Sequence, residues 1–275
     1  MTAETALLVR ADDAGSSWAA NIGCLRACTD GIARSVEVMM PGAWVPQAAR
    51  LFGDRPEIDI GLHLTLTSEW DAVKWRPLTT APSLVDADGY FLPLLTARPR
   101  AGRPSLAERD WSLDEIAQEL RAQVTLGKRL FPQASHVSTH MARHLGQIDP
   151  RLGDLVSELC DEFGLMDDPF GHGLRRFQGY PPHPRDTTRR VSAFRDGLAA
   201  LPPGLHIFID HPALASDELA ALGHAGYEDV AQDRVSCLET LTNPTVSQTI
   251  RDLGIELVSY RDLRGDGRWR VQENT

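Results

Sequence analysis

Two spacings of apolar residues take turns along this chain. Leu7-Leu8-Val9 is a short apolar run bounded by charge and glycine, and it predicts a buried strand. Ser16 or Ser17 can cap a helix running to about Gly31, where glycine ends it. Arg34 to Met40 alternates into a second strand, closed by Pro41-Gly42. Trp44 to about Phe52 has helical spacing, and Ile58 to Thr65 predicts a third strand. Strand, helix, strand, helix, strand is the pattern of a parallel α/β sheet.

The rhythm fails from about Ser68 to Trp111. Five prolines fall there (Pro77, Pro82, Pro93, Pro99 and Pro104), with Trp70, Trp75 and Tyr90 among them. Irregular stretches this long are usually functional, and the aromatics predict a cover over a cleft. Asp114 to Leu130 is an amphipathic helix, with Ser112 as N-cap and Glu115 completing a capping box. His136 to His140 predicts a strand, Arg151 to Phe163 a helix, and Gly164-Leu165-Met166 a short strand. Residues 167–188 predict a second irregular loop. A helix near Val191 to Leu201, a strand from Leu205 to Pro212, helices near 216–222 and 228–241, a helix after Pro244 and a strand from Ile255 to Tyr260 complete the chain. The expected fold is one α/β domain over residues 1–275: a distorted (β/α) TIM-like barrel of about seven parallel strands with long irregular loop insertions. A doubly wound sheet is the alternative.

Charge and composition narrow the partners. The 275 residues carry a net charge of −10, which argues against nucleic acid or an anionic membrane as the main partner. No signal peptide and no membrane span is apparent, and Cys24, Cys28, Cys160 and Cys237 include no CxxC pair. Cys24 and Cys28 share one helix face and are expected to be buried free thiols. A reducing, cytoplasmic setting is expected. A homodimer is compatible with the sequence.

The chemistry gathers at strand ends, where (β/α) barrels build their sites. Asp12, Asp13, His63, His140, Asp210 and His211 all fall there. Two adjacent carboxylates raise one another's pKa unless a cation lies between them; a solvated loop tip is the other reading of that pair. One carboxylate and two imidazoles form a ligand set for a catalytic divalent ion. His206 is expected to be structural, and His136, near the start of its strand, to face away from the site. His144, His172, His183 and His224 are expected to be solvated, although His144 lies close enough to His140 to reach the cleft.

ADDAG with Asn21 and Gly23 following, then GLHLTLT, STHMARHLG, DHPAL and the late RVSCLETLTNPTV resemble the YdjC-type carbohydrate deacetylases, which include the chitooligosaccharide (diacetylchitobiose) deacetylases. The resemblance runs through nearly the whole chain. It implies a metal-dependent hydrolase that removes the acetyl group from an N-acetylated sugar or short oligosaccharide. It further implies Asp13, His63 and His140 as metal ligands, Asp12 as the base acting on a metal-activated water, and His211 as the acid. Zinc or magnesium is expected, and nickel and cobalt are compatible. The chain departs from the pattern at Arg10, where the family usually has Asn. Ser138-Thr139-His140 replaces the common Asp-Ser-His, and Ala142 stands where many members have His. The residues after Met166 do not match the usual Arg-Pro. These departures leave the orientation of His140 and the choice of sugar open. Two other readings remain: another metal-dependent amide or phosphoester hydrolase on the same barrel, with Arg175 and Arg176 as the basic candidates, or a non-catalytic carbohydrate-binding protein using the loop aromatics.

Overall fold

The computed structural model describes residues 4–98, 102–181, 186–264 and 269. Its centre is the strand β1 (Thr5–Ala14), all of it inaccessible beyond the first residue. β2 (Ser35–Val38), β3 (Asp59–Leu64) and β4 (His136–Thr139) follow it outward on one side, and β6 (Gly204–Asp210) and β5 (Arg175–Arg176) on the other. β7 (Glu256–Val258) shares the first edge of β1 with β2, pairing Ala6–Leu8 while β2 begins at Arg10. Every pairing is parallel. The sheet curls into a half-barrel backed by helices, the α/β architecture expected.

Alternation along the strands sorts residues between two cores. Leu7, Val9 and Ala11 of β1 face the helices, in a cluster with Val36, Val38, Ile60, Leu62, Val137 and Phe208. Ala6 and Leu8 face the barrel interior with Ile207, Ile209, Met166, Val258 and Tyr260. The inward series therefore continues to Arg10 and Asp12 on β1. The same parity selects Glu37 on β2, Gly61 and His63 on β3, His136 and Ser138 on β4, and His211 just beyond β6. The barrel is apolar at its base and polar toward the strand ends.

Among the described residues, eight helices connect and cover the strands: α1 (Trp18–Thr29), α2 (Val45–Phe52), α3 (Leu113–Leu130), α4 (Pro150–Phe163), α5 (Thr187–Ala199), α6 (Asp217–Ala220), α7 (Val230–Leu241) and α8 (Pro244–Asp252). Ser17 caps α1 by accepting from the Ala20 amide at 3.0 Å. Gly23 on α1 is required by packing, since a Cβ there would run into Pro212 and Ala213, the residues after His211. Asn21 accepts from the Gly15 amide at 2.6 Å and so holds the turn that follows the two aspartates.

Three details differ from the sequence expectations. Gly164-Leu165-Met166 makes only a single parallel bridge, Met166 to His136. The strand beside β6 is instead Arg175–Arg176, inside the expected irregular loop; two exposed arginines carry no apolar pattern by which to find them. The capping box of α3 is half formed. Ser112 accepts from the Glu115 amide at 3.3 Å, but the Glu115 carboxylate bonds the amide and hydroxyl of Ser83.

That carboxylate belongs to a row. Glu115, Glu119 and Gln123 lie four residues apart along α3. Glu119 accepts from the amides of Leu78 and Thr79, and Gln123 bonds both the amide and the carbonyl of Thr65. The long irregular segment is thus fastened along one helix face. It forms a wall of the cleft, with Glu69 and Trp70 in its lining. All four cysteines are free thiols. Among the described residues, no helix is long and apolar enough to cross a membrane.

Candidate active site

The cleft at the strand ends has a volume of about 700 Å³ and is lined by Asp12, Asp13, His63, His140 and His211 together. Strand parity alone would send Asp12 and Asp13 to opposite faces. Asp13, however, adopts a left-handed φ of +73°, and the β1–β2 register slips between Ala11 and Ala14. That irregularity turns both carboxylates into the cleft. A non-glycine residue at positive φ is strained, and Ser16, whose amide and hydroxyl both donate to the Asp13 carbonyl, helps to hold it.

One ligand atom from each of Asp13, His63 and His140 lies within 4.8 Å of the others. His140 Nδ1 is 3.2 Å and His63 Nε2 3.8 Å from Asp13 Oδ1. Each ring has its other nitrogen engaged elsewhere, the arrangement by which proteins orient metal-ligating histidines. His140 Nε2 is 3.0 Å from Glu69. His63 Nδ1 is 2.7 Å from Ser138 Oγ, and Ser138 in turn donates to Glu37. A hydroxyl that has donated its proton to a carboxylate can only accept from the ring, so His63 carries its proton on Nδ1 and turns the Nε2 lone pair to the cleft. Asp13 Oδ1 is buried with no hydrogen-bond partner, and its Oδ2 receives Arg234 at 2.7 Å. An orphaned buried carboxylate oxygen facing two imidazole nitrogens fits a small cation.

Burial opposes ionisation of Asp13, but His211, Arg234 and His140 outweigh it and hold its pKa well below the usual carboxylate range. Burial, with His140 and Arg10 nearby, keeps His63 neutral. Burial also opposes charge on His140, but Glu69 and Asp13 push its pKa up to about 10, so a proton and a cation compete for its Nδ1.

Asp12 is held differently. Both of its oxygens take the guanidinium of Arg10, at 2.7 and 2.9 Å. The same guanidinium reaches Asp168 at 2.5 Å and the Tyr260 hydroxyl at 3.0 Å. Burial nevertheless dominates, and Asp12 rises to about 6 despite Arg10 and His211. His211 stands across the site with Nε2 3.9 Å from Asp13 Oδ2, and its backbone amide donates to Asp210 at 2.8 Å. Burial works against its protonated form, but Asp13 and Asp210 raise its pKa.

Beneath the cleft lies a polar row. Glu37, Gly61 and His136 are in register on β2, β3 and β4, and His63 and Ser138 form the next row up. His136 Nε2 is 2.7 Å from Glu37, and its ring stacks on Tyr260 at 3.5 Å. His136 therefore does not face away, because it shares the inward parity of Ser138. Gly61 leaves room for this pair, since a Cβ there would strike both Glu37 and His136.

The remaining histidines divide. His206 bonds the Pro202 carbonyl at 2.9 Å and is structural, as expected. His144 is buried, not solvated, and does not reach the cleft. It lies 3.0 Å from Asp167, which also takes His172 at 2.8 Å. These three could face a cation by distance, but Gly146 donates its amide to His144 Nδ1 at 3.1 Å. That leaves the proton on Nε2 and makes His144 a donor to Asp167. His224 is half-buried in the cleft wall, and His183 lies outside the described residues. Trp70 and Trp75 are 3% and 5% exposed, so the loop tryptophans offer no open stacking face. Glu69, Arg234, Glu37, Asp168 and Tyr260 were not singled out by the sequence; in one chain, an acid inside a strand or an arginine on a helix resembles any solvated position.

The chain is similar to known proteins over most of its length. The family model described as YdjC-like protein matches residues 6–252. A chitooligosaccharide deacetylase of Yersinia enterocolitica is 30% identical over 94% of this chain and 99% of its own. A carbohydrate deacetylase of Thermus thermophilus is 32% identical over 78% of this chain and 80% of its own. An Enterococcus faecalis crystal structure superposes with a TM-score of 0.74 at 20% identity, covering 95% of this chain and 100% of that one. The catalytic domain of a Eubacterium rectale peptidoglycan N-acetylglucosamine deacetylase gives 0.52 at 10% identity, covering 99% and 96%. These two likenesses concern the fold.

Proposed function

Since the chain belongs to the YdjC-like protein family, we propose that it is a metal-dependent carbohydrate N-deacetylase, hydrolysing the acetamido group of an N-acetylated sugar to acetate and the free amine. The observation that carries this reading is the orphaned Asp13 Oδ1 facing His63 and His140, with Asp12 and His211 on either side. A binding protein needs metal-ligand geometry no more than it needs a base and an acid.

Asp13, His63 and His140 would hold one divalent ion, and the mixed nitrogen–oxygen donor set suits zinc, with magnesium, nickel and cobalt compatible. Such an ion lowers the pKa of water and polarises the acetyl carbonyl. Asp12 takes the proton from the attacking water. Its pKa of about 6 leaves it ionised at neutral pH yet basic enough to accept that proton. Arg10 fixes both oxygens of Asp12, so the base does not rotate between turnovers. His211, its pKa raised by Asp13 and Asp210 against burial, begins protonated and delivers its proton to the departing amine. The buried Arg234 keeps Asp13 Oδ2 engaged and leaves Oδ1 to the ion.

The free thiols and the lack of any membrane-crossing helix among the described residues support a cytoplasmic setting. The test is metal analysis of the purified protein together with acetate release from a panel of N-acetylated sugars. Acetate release that disappears with chelation and returns with added metal supports the reading; metal-independent release, or none, overturns it.

A further inference from the structure

Behind the proposed acid lies a cluster of side chains that neither the ligand set nor the base uses. On β6, Ile207 and Ile209 face the barrel interior and Phe208 faces the helices. Alternation therefore sends His211 to the cleft and puts Asp210 on the helix side with Phe208. Tyr180 reaches that side from the loop after β5. Gly179 lets the chain in: its φ is +69°, and a Cβ there would strike both Phe208 and Phe194. The Tyr180 ring packs against these two phenylalanines, 5.6 and 5.9 Å between centroids. The Arg190 guanidinium of α5 closes over its face at 4.2 Å. Arg190 is itself fixed by the Asp233 carbonyl at 2.8 Å and by the Asp233 carboxylate. The ring is thus held on several sides, and its hydroxyl donates to Asp210 Oδ2.

The Asp210 carboxylate is divided by that bond. Oδ2 takes Tyr180, while Oδ1 takes the His211 amide at 2.8 Å and lies 3.4 Å from His211 Nδ1. Rotation of the carboxylate would break the bond to Tyr180, so Oδ1 stays beside Nδ1. An imidazole held at Nδ1 presents Nε2 to the cleft, and His211 Nε2 is the atom that lies 3.9 Å from Asp13 Oδ2. Burial and Asp210 push the Tyr180 hydroxyl well above its usual pKa, so it remains a donor.

We propose that Tyr180 is a positioning residue for the acid: its hydroxyl, aimed by Arg190 and the two phenylalanines, locks Asp210 and through it the His211 ring. That His211 acts as an acid rests on the deacetylase reading above.

The test is Tyr180→Phe, which keeps the ring under Arg190 and removes only the hydroxyl. With metal-loaded protein and diacetylchitobiose, kcat is expected to fall about tenfold to a hundredfold, the worth of one hydrogen bond to a charged group. KM, metal content and melting temperature should not move. In a His211→Ala background the same substitution is expected to change the residual rate by less than about twofold, because the residue it acts through is gone. Ring nitrogen NMR of the metal-free protein should show one His211 signal set in the wild type and displaced or broadened signals in Tyr180→Phe. An unchanged kcat, unchanged His211 signals, or an undiminished loss in the His211→Ala background overturns the proposal. So does a loss carried by KM, which would make Tyr180 a substrate contact, or a fall in metal content or melting temperature, which would make it structural. A wild type that releases acetate from neither N-acetylglucosamine nor diacetylchitobiose overturns the deacetylase reading, and the His211 signals then still decide whether Tyr180 holds the ring.

Discussion

Ser138 Oγ accepts from His63 Nδ1 at 2.7 Å because its own proton is given to Glu37. The tautomer of a proposed metal ligand is thereby decided two residues away, by a carboxylate on a neighbouring strand. Ser138→Ala removes the relay and adds no bulk. Metal affinity, measured by competition with a chromogenic chelator, is expected to fall about tenfold to a hundredfold, with the melting temperature little changed.

Asp12 and the proposed ligands separate by their effects on metal. Asp12→Asn is expected to lower kcat by about two to four orders of magnitude, the worth of a general base, and to leave metal content intact. His63→Ala and His140→Ala should lose the metal. Elemental analysis beside an acetate assay distinguishes the two classes, and an Asp12→Asn protein of full activity would remove Asp12 from the mechanism.

Arg10 answers two carboxylates at once, Asp12 and Asp168, and all three side chains are buried. Truncation to Met leaves both acids without their cation. The expected cost is roughly 3–5 kcal/mol, read from urea unfolding. Arg10→Lys supplies charge without the two-pronged fork and is expected to recover part of the stability and little of kcat, since a single ammonium cannot hold both oxygens of Asp12.

The Glu37–His136 pair gives stability a pH signature. Burial opposes both charges, but each partner stabilises the other: Glu37 is lowered to about 2 and His136 is raised above its usual value. The Glu37 contribution is complete above about pH 4.5 and is lost as pH falls toward 2; the His136 contribution is complete below about pH 6.5 and is lost as pH rises through its folded value. The wild type should therefore exceed Glu37→Gln in stability by the most between about pH 4.5 and 6.5, and the gap should close on acidification. Melting curves of both proteins from pH 2 to 8 check it; a gap that widens toward pH 2 would contradict the pairing.

Gly23 offers a test of packing behind the acid. A methyl group at this position on α1 meets the backbone of Pro212 and Ala213, immediately after His211. Gly23→Ala is expected to reduce kcat through displacement of His211 while metal binding persists, a split that activity and metal assays together reveal.

What the sequence made visible follows from where apolar runs stop. Asp12, Asp13, His63, His140 and His211 each end a strand whose hydrophobic residues announce it, so position and chemistry could be read together. Glu37 was hidden because a strand with Val36 and Val38 outward looks half-solvated, and only curling of the sheet makes its other face an interior. Arg234 and Glu69 were hidden because the contacts that matter, to Asp13 and to His140, span hundreds or scores of residues in sequence. The positive φ of Asp13 is likewise a product of the fold. Nothing in ADDAG by itself requires it.

The row of Glu115, Glu119 and Gln123 along α3 has a consequence for engineering. The segment bearing Glu69 and Trp70 is bonded to that helix at three successive turns, so its shape is encoded outside its own boundaries. Grafting the segment alone onto a relative would import the side chains without the scaffold that aims them. The portable module runs from Thr65 through Gln123, helix included.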